Sequence, residues 1–257
     1  MVIVSFNRAA QLRQSLEALA APGGDVRTIV VDNGSRDGAA GLDTDFPNVR
    51  FSRLPRNFGL TRALNIGIRA ADGDYILLLH DDVRIDVAAA IALAEFLENR
   101  PDVGAVCPHL NTPQVRALPT PAHPDPPLEA PAHEASEVVA ECVSGAAIMV
   151  RAAFLRAMGH IDERYGNYGS AIELCARVRS AGRKVIVLTG VTAVHGATPS
   201  PISAKTLEAD RAAGTAAFLG KHYGFGAGLL YRLKTGLHAL ITLRFGVIIA
   251  AKIDGSG

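Results

Sequence analysis

The chain has no tryptophan, and aromatic residues make up only 5% of it. Base-stacking surfaces that read single-stranded RNA need several exposed rings, so that class is disfavoured. Net charge is also lacking, since 26 basic against 25 acidic residues leave +1. A global basic footprint for nucleic acid is therefore absent, and no nucleic-acid partner is expected. Cysteines are few and odd in number (Cys107, Cys142, Cys175), with no C-x-x-C pair. They form neither a disulfide framework nor a structural zinc site, and they suit a reducing compartment. The longest apolar stretch, Thr235 to Ala251, carries His238 and is interrupted by Arg244. It falls short of the roughly 20 apolar residues that span a bilayer. The N-terminus has no basic and apolar leader, so a cytoplasmic location is expected. No G-x-G-x-x-G turn follows the first apolar run, and no P-loop or G-x-S-x-G elbow occurs. Dinucleotide oxidoreductases, P-loop NTPases and serine hydrolases are thus poor fits.

What is present is ample for a packed core: 257 residues, 49% of them hydrophobic. Short apolar runs alternate with helical patterns. Val2 to Phe6, Val26 to Val31, Val49 to Leu54 and Asp74 to Leu79 read as strands. Ala9 to Ala20, Gly59 to Ala71 and Val87 to Glu98 read as helices with one apolar face. Such alternation predicts an α/β fold with a mostly parallel sheet. Seven of the 14 prolines then fall between Pro113 and Pro131, a density that no helix or central strand tolerates. Residues 109–135 read as a surface excursion. Structure resumes with strands over Val138 to Val150, broken at Ser144-Gly145, and at Lys184 to Leu188. Helices follow at Arg151 to Met158, Ala171 to Ala181 and Ala204 to His222, with His195 in a loop. Residues 1–200 are expected to form one domain and residues 201–257 a helical tail. In that tail Leu230, Leu233, Leu237, Leu240, Ile241 and Ile248 recur at helical spacing beside Arg232, Lys234, Arg244 and Lys252. The pattern suits an anionic membrane surface, such as the inner face of the plasma membrane, or equally docking on its own domain or in a homodimer.

Open parallel sheets bind ligands beyond the carboxyl ends of their strands. Four such ends here are polar: Ser5-Phe6-Asn7-Arg8, Asp32-Asn33-Gly34-Ser35, His80-Asp81-Asp82, and the run leading to His195. Adjacent carboxylates repel unless a cation neutralises them. Mg²⁺ or Mn²⁺ suits Asp81-Asp82, and His195 could complete a Mn²⁺-type sphere. Equally, the two aspartates could cap the segment that follows them.

The ordered set Val2 to Arg8, Val30 to Gly38, Asn57-Phe58-Gly59 through Gly67, Gly73 to Leu79, Ser144 to Ala147, Gly159 to Tyr165, Glu173 to Arg177 and Val194-His195 resembles glycosyltransferase family 2. Its flavour is that of the rhamnosyltransferase-like branch that builds surface polysaccharides. The resemblance implies a GT-A fold, a Rossmann-like mixed, mostly parallel sheet flanked by helices. It implies transfer of a sugar from a nucleotide-diphosphate donor (UDP- or dTDP-sugar) to a glycan or lipid-linked acceptor, with inversion. By resemblance Ser5, Asn7, Asp32 and Ser35 hold the nucleoside, while Asn57, Gly59, Ala63 and Asn65 line the nucleotide-sugar pocket. His80-Asp81-Asp82 matches the D-x-D-like segment, with His80 in its first place. Asp82 and His195 would meet the metal, Mg²⁺ or Mn²⁺, while His80 and Asp81 border the donor. The family's acidic pair, source of the catalytic base, is replaced by Ser170-Ala171. Glu173 is then the expected base, or else an ordinary helix acid paired to Arg177. Asp162 and Glu163 lie nearby. A member that keeps donor binding but has lost catalysis is the alternative.

Overall fold

The computed structural model describes residues 1–20, 26–132, 135–196 and 198–238. Strands β1 (Val2–Ser5), β2 (Ile29–Asp32), β3 (Arg50–Arg53) and β4 (Tyr75–His80) run parallel, in the order β3-β2-β1-β4. Beyond β4 the order continues with β10 (Ala147–Arg151), β6 (Val103–Leu110), β11 (Lys184–His195) and β5 (Val83–Arg84). β10 is antiparallel to both β4 and β6, and β11 is parallel to β6. The carboxyl ends of β1, β2, β4, β6 and β11 therefore share one edge, while β10 and the short edge strand β5 point back.

Side chains alternate across the sheet, which explains the uninterrupted apolar runs. Val2, Val4, Ile76 and Leu78 face one layer, shared with α3 (Leu60–Ala70), α5 (Ala152–Ala157) and α6 (Ser170–Ser180). Ile3, Val30, Leu77 and Leu79 face the other, built from α1 (Ala9–Ala18), the short α2 (Leu42–Asp45) and α4 (Val87–Asn99). Asp86 caps α4 by accepting from the Ala89 N–H at 2.7 Å. The start of α1 lacks a cap of its own, and Asp37 supplies one by accepting from the Ala9 N–H at 2.7 Å.

Two expectations need correcting, and a third is sharpened. The strand read at Lys184 to Leu188 continues to His195, so His195 ends a strand instead of lying in a loop. An irregularity between Leu188 and Thr192 bends β11 so that His195 pairs with Val83, just past the acidic pair. Val103–Leu110, not read as a strand, is one of the central ones, and Pro108 sits within it. The proline-rich excursion is tied down. β7 (Val115–Arg116) pairs with β9 (Cys142–Val143), and the buried Gln114 side chain bonds the Pro108 carbonyl and the Leu110 N–H. Short β8 (Glu137–Ala140) pairs with β11. α7 (Ala204–His222) packs on the body through Thr215, Ala216, Phe218 and Leu219. Residues 225–238 are again helical, exposing Phe225, Leu230, Leu233 and Leu237. Leu240, Ile241 and Ile248 lie outside the described residues.

Candidate active site

The β1 and β2 ends are laced together. Asn7, at φ +51°, donates its N–H to Ser35 Oγ at 2.9 Å and accepts from the Arg36 N–H at 2.7 Å. Asp32 is buried, and its Oδ1 accepts from the Ser35 N–H at 2.9 Å. Ser5 is fully buried with an unpartnered hydroxyl. Asn33 donates to Asn57 Oδ1 at 2.9 Å, and the same oxygen accepts from the Gly59 N–H at 2.8 Å. Gly59 has φ +88°, where a side chain is strained, while the space for a Cβ is ordinary. Conformation, more than crowding, requires the glycine there. Ala63 is packed in the core, and Asn65 is buried, bonding the Ile161 backbone through both ends of its amide. Ala63 is thus held by packing and Asn65 by hydrogen bonds within the fold.

The β4 end carries the sharpest chemistry. A His80 nitrogen, an Asp82 oxygen and a His195 nitrogen form a group whose ligand atoms all lie within 4.8 Å of one another, and it is the one such cluster among the described residues. The His80 and His195 rings meet edge-on, with centroids 5.9 Å apart. Asp82 Oδ1 stands 3.3 Å from His195 Nε2 and accepts no hydrogen bond, although it is buried. Asp82 Oδ2 accepts from Arg8 Nη1 at 3.0 Å and from the Thr198 N–H at 3.1 Å. Thr112 Oγ1 lies 3.1 Å from His195 Nδ1, a contact that can leave Nε2 with its lone pair free. Burial alone would raise the Asp82 carboxyl, but His195, His80 and Arg8 around it hold it well below the usual range. Burial pushes His80 down to about 4, helped by the His195 and Arg8 charges. Its imidazole is neutral at pH 7 and able to donate a lone pair. Asp81 is pushed up to about 6 by burial, against the opposing charge of Arg8. Two imidazoles, that of His80 neutral, and an open carboxylate oxygen make a donor set that fits a divalent cation.

Glu173 lies in a different setting. It is fully buried, and its Oε2 accepts from Tyr165 Oη at 2.9 Å and contacts His222 Nε2 at 3.0 Å. Its Oε1 pairs with Lys221, and Arg177 Nε stands 4.0 Å away. The α6 residue that borders the rim is Ala171. A Cβ built on Gly145 would lie 3.1 Å from Ala171 Cβ and 3.9 Å from His80 Nε2. Asp162 pairs with Arg164 and Lys221, and Glu163 bonds Asn65.

Arg8, Thr112 and Thr198 had no assigned role from sequence. One signal did point to Arg8: adjacent carboxylates need a cation, and Arg8 is the basic residue at the neighbouring strand end.

The sequence profile of Glycosyl transferase family 2 matches residues 1–156. N-acetylglucosaminyl-diphospho-decaprenol L-rhamnosyltransferase of Mycobacterium tuberculosis is 24% identical over 229 residues, covering 76% of this chain and 75% of that protein. Among solved structures, GalNAc-T7 with UDP, GalNAc and Mn²⁺ aligns with a TM-score of 0.65 at 14% identity, over 76% of this chain and 43% of that one. The mannosyltransferase PcManGT from Pyrobaculum calidifontis, in complex with GDP-Man and Mn²⁺, aligns at 0.56 and 15% identity, over 97% and 79%. With the profile spanning more than half its length, including the β1, β2 and β4 ends, the chain belongs to glycosyl transferase family 2 and is a glycosyltransferase of GT-A fold.

Proposed function

We propose that the chain transfers a sugar from a UDP- or dTDP-linked donor to a lipid-linked or other glycan acceptor, by one inverting displacement. The observation that carries this reading is the open, buried oxygen of Asp82 between two imidazoles at a strand rim. Asp82, His195 and His80 would hold Mg²⁺ or Mn²⁺, and two nitrogen ligands favour Mn²⁺. Such a cation offsets the charge of the departing diphosphate. Asp32, Ser35, Asn7 and Ser5 would receive the nucleoside, with Asn57 and Gly59 shaping the turn beside it. The lipid-linked acceptor is suggested by the decaprenol-linked substrate in the mycobacterial relative's name.

An inverting step needs a base for the acceptor hydroxyl. Glu173 has no open lone pair facing solvent, so we assign it a structural part. Asp210 on α7 is the preferred candidate. Its Oδ2 accepts from Asn167 Nδ2 at 2.7 Å, and its Oδ1 lies 3.7 Å from the Cβ position of Gly166, the residue that faces Gly59. The leucine-bearing helix 225–238 is proposed to rest on an anionic membrane near that acceptor. Within residues 211–253 there is no acidic residue, which fits such a surface. Among the described residues no helix is long and apolar enough to cross a membrane.

The test begins with a panel of nucleotide sugars screened by thermal stabilisation with and without Mn²⁺. Transfer to polyprenyl-diphosphate-linked sugars is then assayed for the wild type and for Asp210→Asn. A Mn²⁺-dependent rise in melting temperature with a UDP- or dTDP-sugar is expected, followed by transfer that Asp210→Asn lowers at least 100-fold. Stabilisation without transfer to any acceptor would leave only a donor-binding protein. Normal transfer by Asp210→Asn would remove Asp210 as the base.

A further inference from the structure

Arg8 precedes α1 and follows directly on Asn7. Its guanidinium is the cation that the acidic pair already holds. Nη1 donates to Asp81 Oδ1 at 3.2 Å and to Asp82 Oδ2 at 3.0 Å. Nη2 donates to the Thr198 carbonyl at 2.5 Å. The side chains of Arg8, Asp81 and Asp82 are 13%, 7% and 3% exposed, so solvent screens them little. The Asp82 carboxylate is divided as a result. Oδ2 takes two donors, Arg8 and the Thr198 N–H, and Oδ1 takes none. Arg8 Nε and Ser5 Oγ are likewise buried without a hydrogen-bond partner. Asp82 Oδ1, which pairs with His195 Nε2 at 3.3 Å without a formed hydrogen bond, is thus the carboxylate oxygen of Asp82 left for a ligand.

Two ionised carboxylates and one guanidinium sum to one negative charge. A divalent cation on Asp82 Oδ1 would turn that sum positive, with the Arg8 charge close by and poorly screened. A nucleoside diphosphate brings at least two negative charges and reverses the balance. Arg8 therefore works against a lone cation and in favour of a cation that arrives with a diphosphate. We propose that Arg8 is a built-in counter-charge, a positioning residue that makes divalent-cation binding conditional on the nucleotide diphosphate. The inference rests on the assignment of Asp82 and His195 as cation ligands.

The test titrates Mn²⁺ into the full chain and follows free Mn²⁺ by electron paramagnetic resonance, with and without saturating UDP. Wild type should bind Mn²⁺ at least tenfold more tightly with UDP than without. Arg8→Gln should bind Mn²⁺ alone at least tenfold more tightly than wild type, and the enhancement by UDP should shrink correspondingly. Arg8→Lys keeps the charge and should keep the weak binding of Mn²⁺ alone. A purely structural role predicts the opposite sign, because a loosened Asp82 would bind the ion less well. Unchanged or weaker Mn²⁺ binding by Arg8→Gln, with His195→Ala abolishing it, would overturn the inference and leave the cation site standing. No Mn²⁺ binding by wild type in either condition would overturn both. Should Arg8→Gln fail to melt cooperatively, Asp81→Asn makes the opposite charge change. It must weaken binding of Mn²⁺ alone at least tenfold, and an unchanged affinity there also refutes the proposal.

Discussion

Two buried carboxylates, Asp82 and Glu173, differ in how their oxygens are occupied. Asp82 has one oxygen saturated by Arg8 and the Thr198 N–H, and the other bare beside His195. Glu173 has both oxygens occupied, by Tyr165, His222 and Lys221. A buried acceptor left unmade costs about 1–3 kcal/mol, so a fold retains one only where something else benefits. On the function proposed above, the contrast separates a carboxylate kept for a ligand from one that ties two helices together. Burial and charge alone would have ranked them alike.

The sharpest way to break the contrast is to remove the open oxygen. Asp82→Asn is predicted to weaken Mn²⁺-dependent UDP binding at least 100-fold in calorimetry, about 2.7 kcal/mol. Its melting temperature should move by only a few degrees. Retained affinity would mean that Asp82 and Glu173 are both structural.

Asp81 offers a pH test within the same strand end. Its folded-state value near 6 lies above the ordinary 3.8, chiefly through burial. Between those two pH values the folded protein keeps a proton that the unfolded chain has released. Stability from this group therefore falls as pH rises from about 4 to about 6, and is level above. Asparagine cannot lose that proton. The stability of Asp81→Asn relative to wild type should thus rise by about 2–3 kcal/mol between pH 4 and pH 7, at about 1.4 kcal/mol per unit. His80, pushed down to about 4, titrates in both proteins and cancels from the difference. A flat difference across that range of melting curves would show that the fold does not disfavour the Asp81 charge.

Glu173→Gln tests the other member of the pair. Glutamine keeps the shape but leaves Lys221 and Tyr165 facing a neutral group. The expected loss is about 2 kcal/mol, less than for a wholly buried pair because Lys221 is one-third exposed. That lowers the melting temperature by several degrees in a chain of this size. Transfer measured well below melting should stay within about threefold of wild type. A fall of 100-fold would restore Glu173 as the base.

How much of this was legible in the sequence depends on reach. The four polar strand ends were readable, because an apolar run buried on both faces must stop where the rim begins. The parallel order followed from the alternation of strands and helices. The far half of β11 was not, since its pairing with β5 depends on a bend that no local pattern records. Val103–Leu110 was obscured by Pro108 and by the prolines after it. The Glu173–Arg177 spacing was visible, but Lys221 and His222 lie 48 and 49 positions from Glu173. Arg8 meets Asp81 and Asp82 across 73 and 74 positions. Composition and periodicity see a charge, and only the fold shows which oxygen it occupies.

The smallest effect should come from Lys221, and it sharpens the contrast most finely. Lys221 also contacts Asp162 Oδ2 at 3.2 Å, and that carboxylate keeps Arg164 at 2.6 Å when the lysine goes. Glu173 likewise keeps Tyr165 and His222. Lys221→Met alone should therefore cost about 1 kcal/mol. Combined with Glu173→Gln the loss should be less than the sum, by about 0.5–1 kcal/mol, because neither partner is then left facing an empty place. A double-mutant cycle on melting curves measures that difference. Strict additivity would mean that Lys221 and Glu173 do not hold each other, and that α7 is anchored by its apolar residues and its other polar contacts, His222 and Asp210.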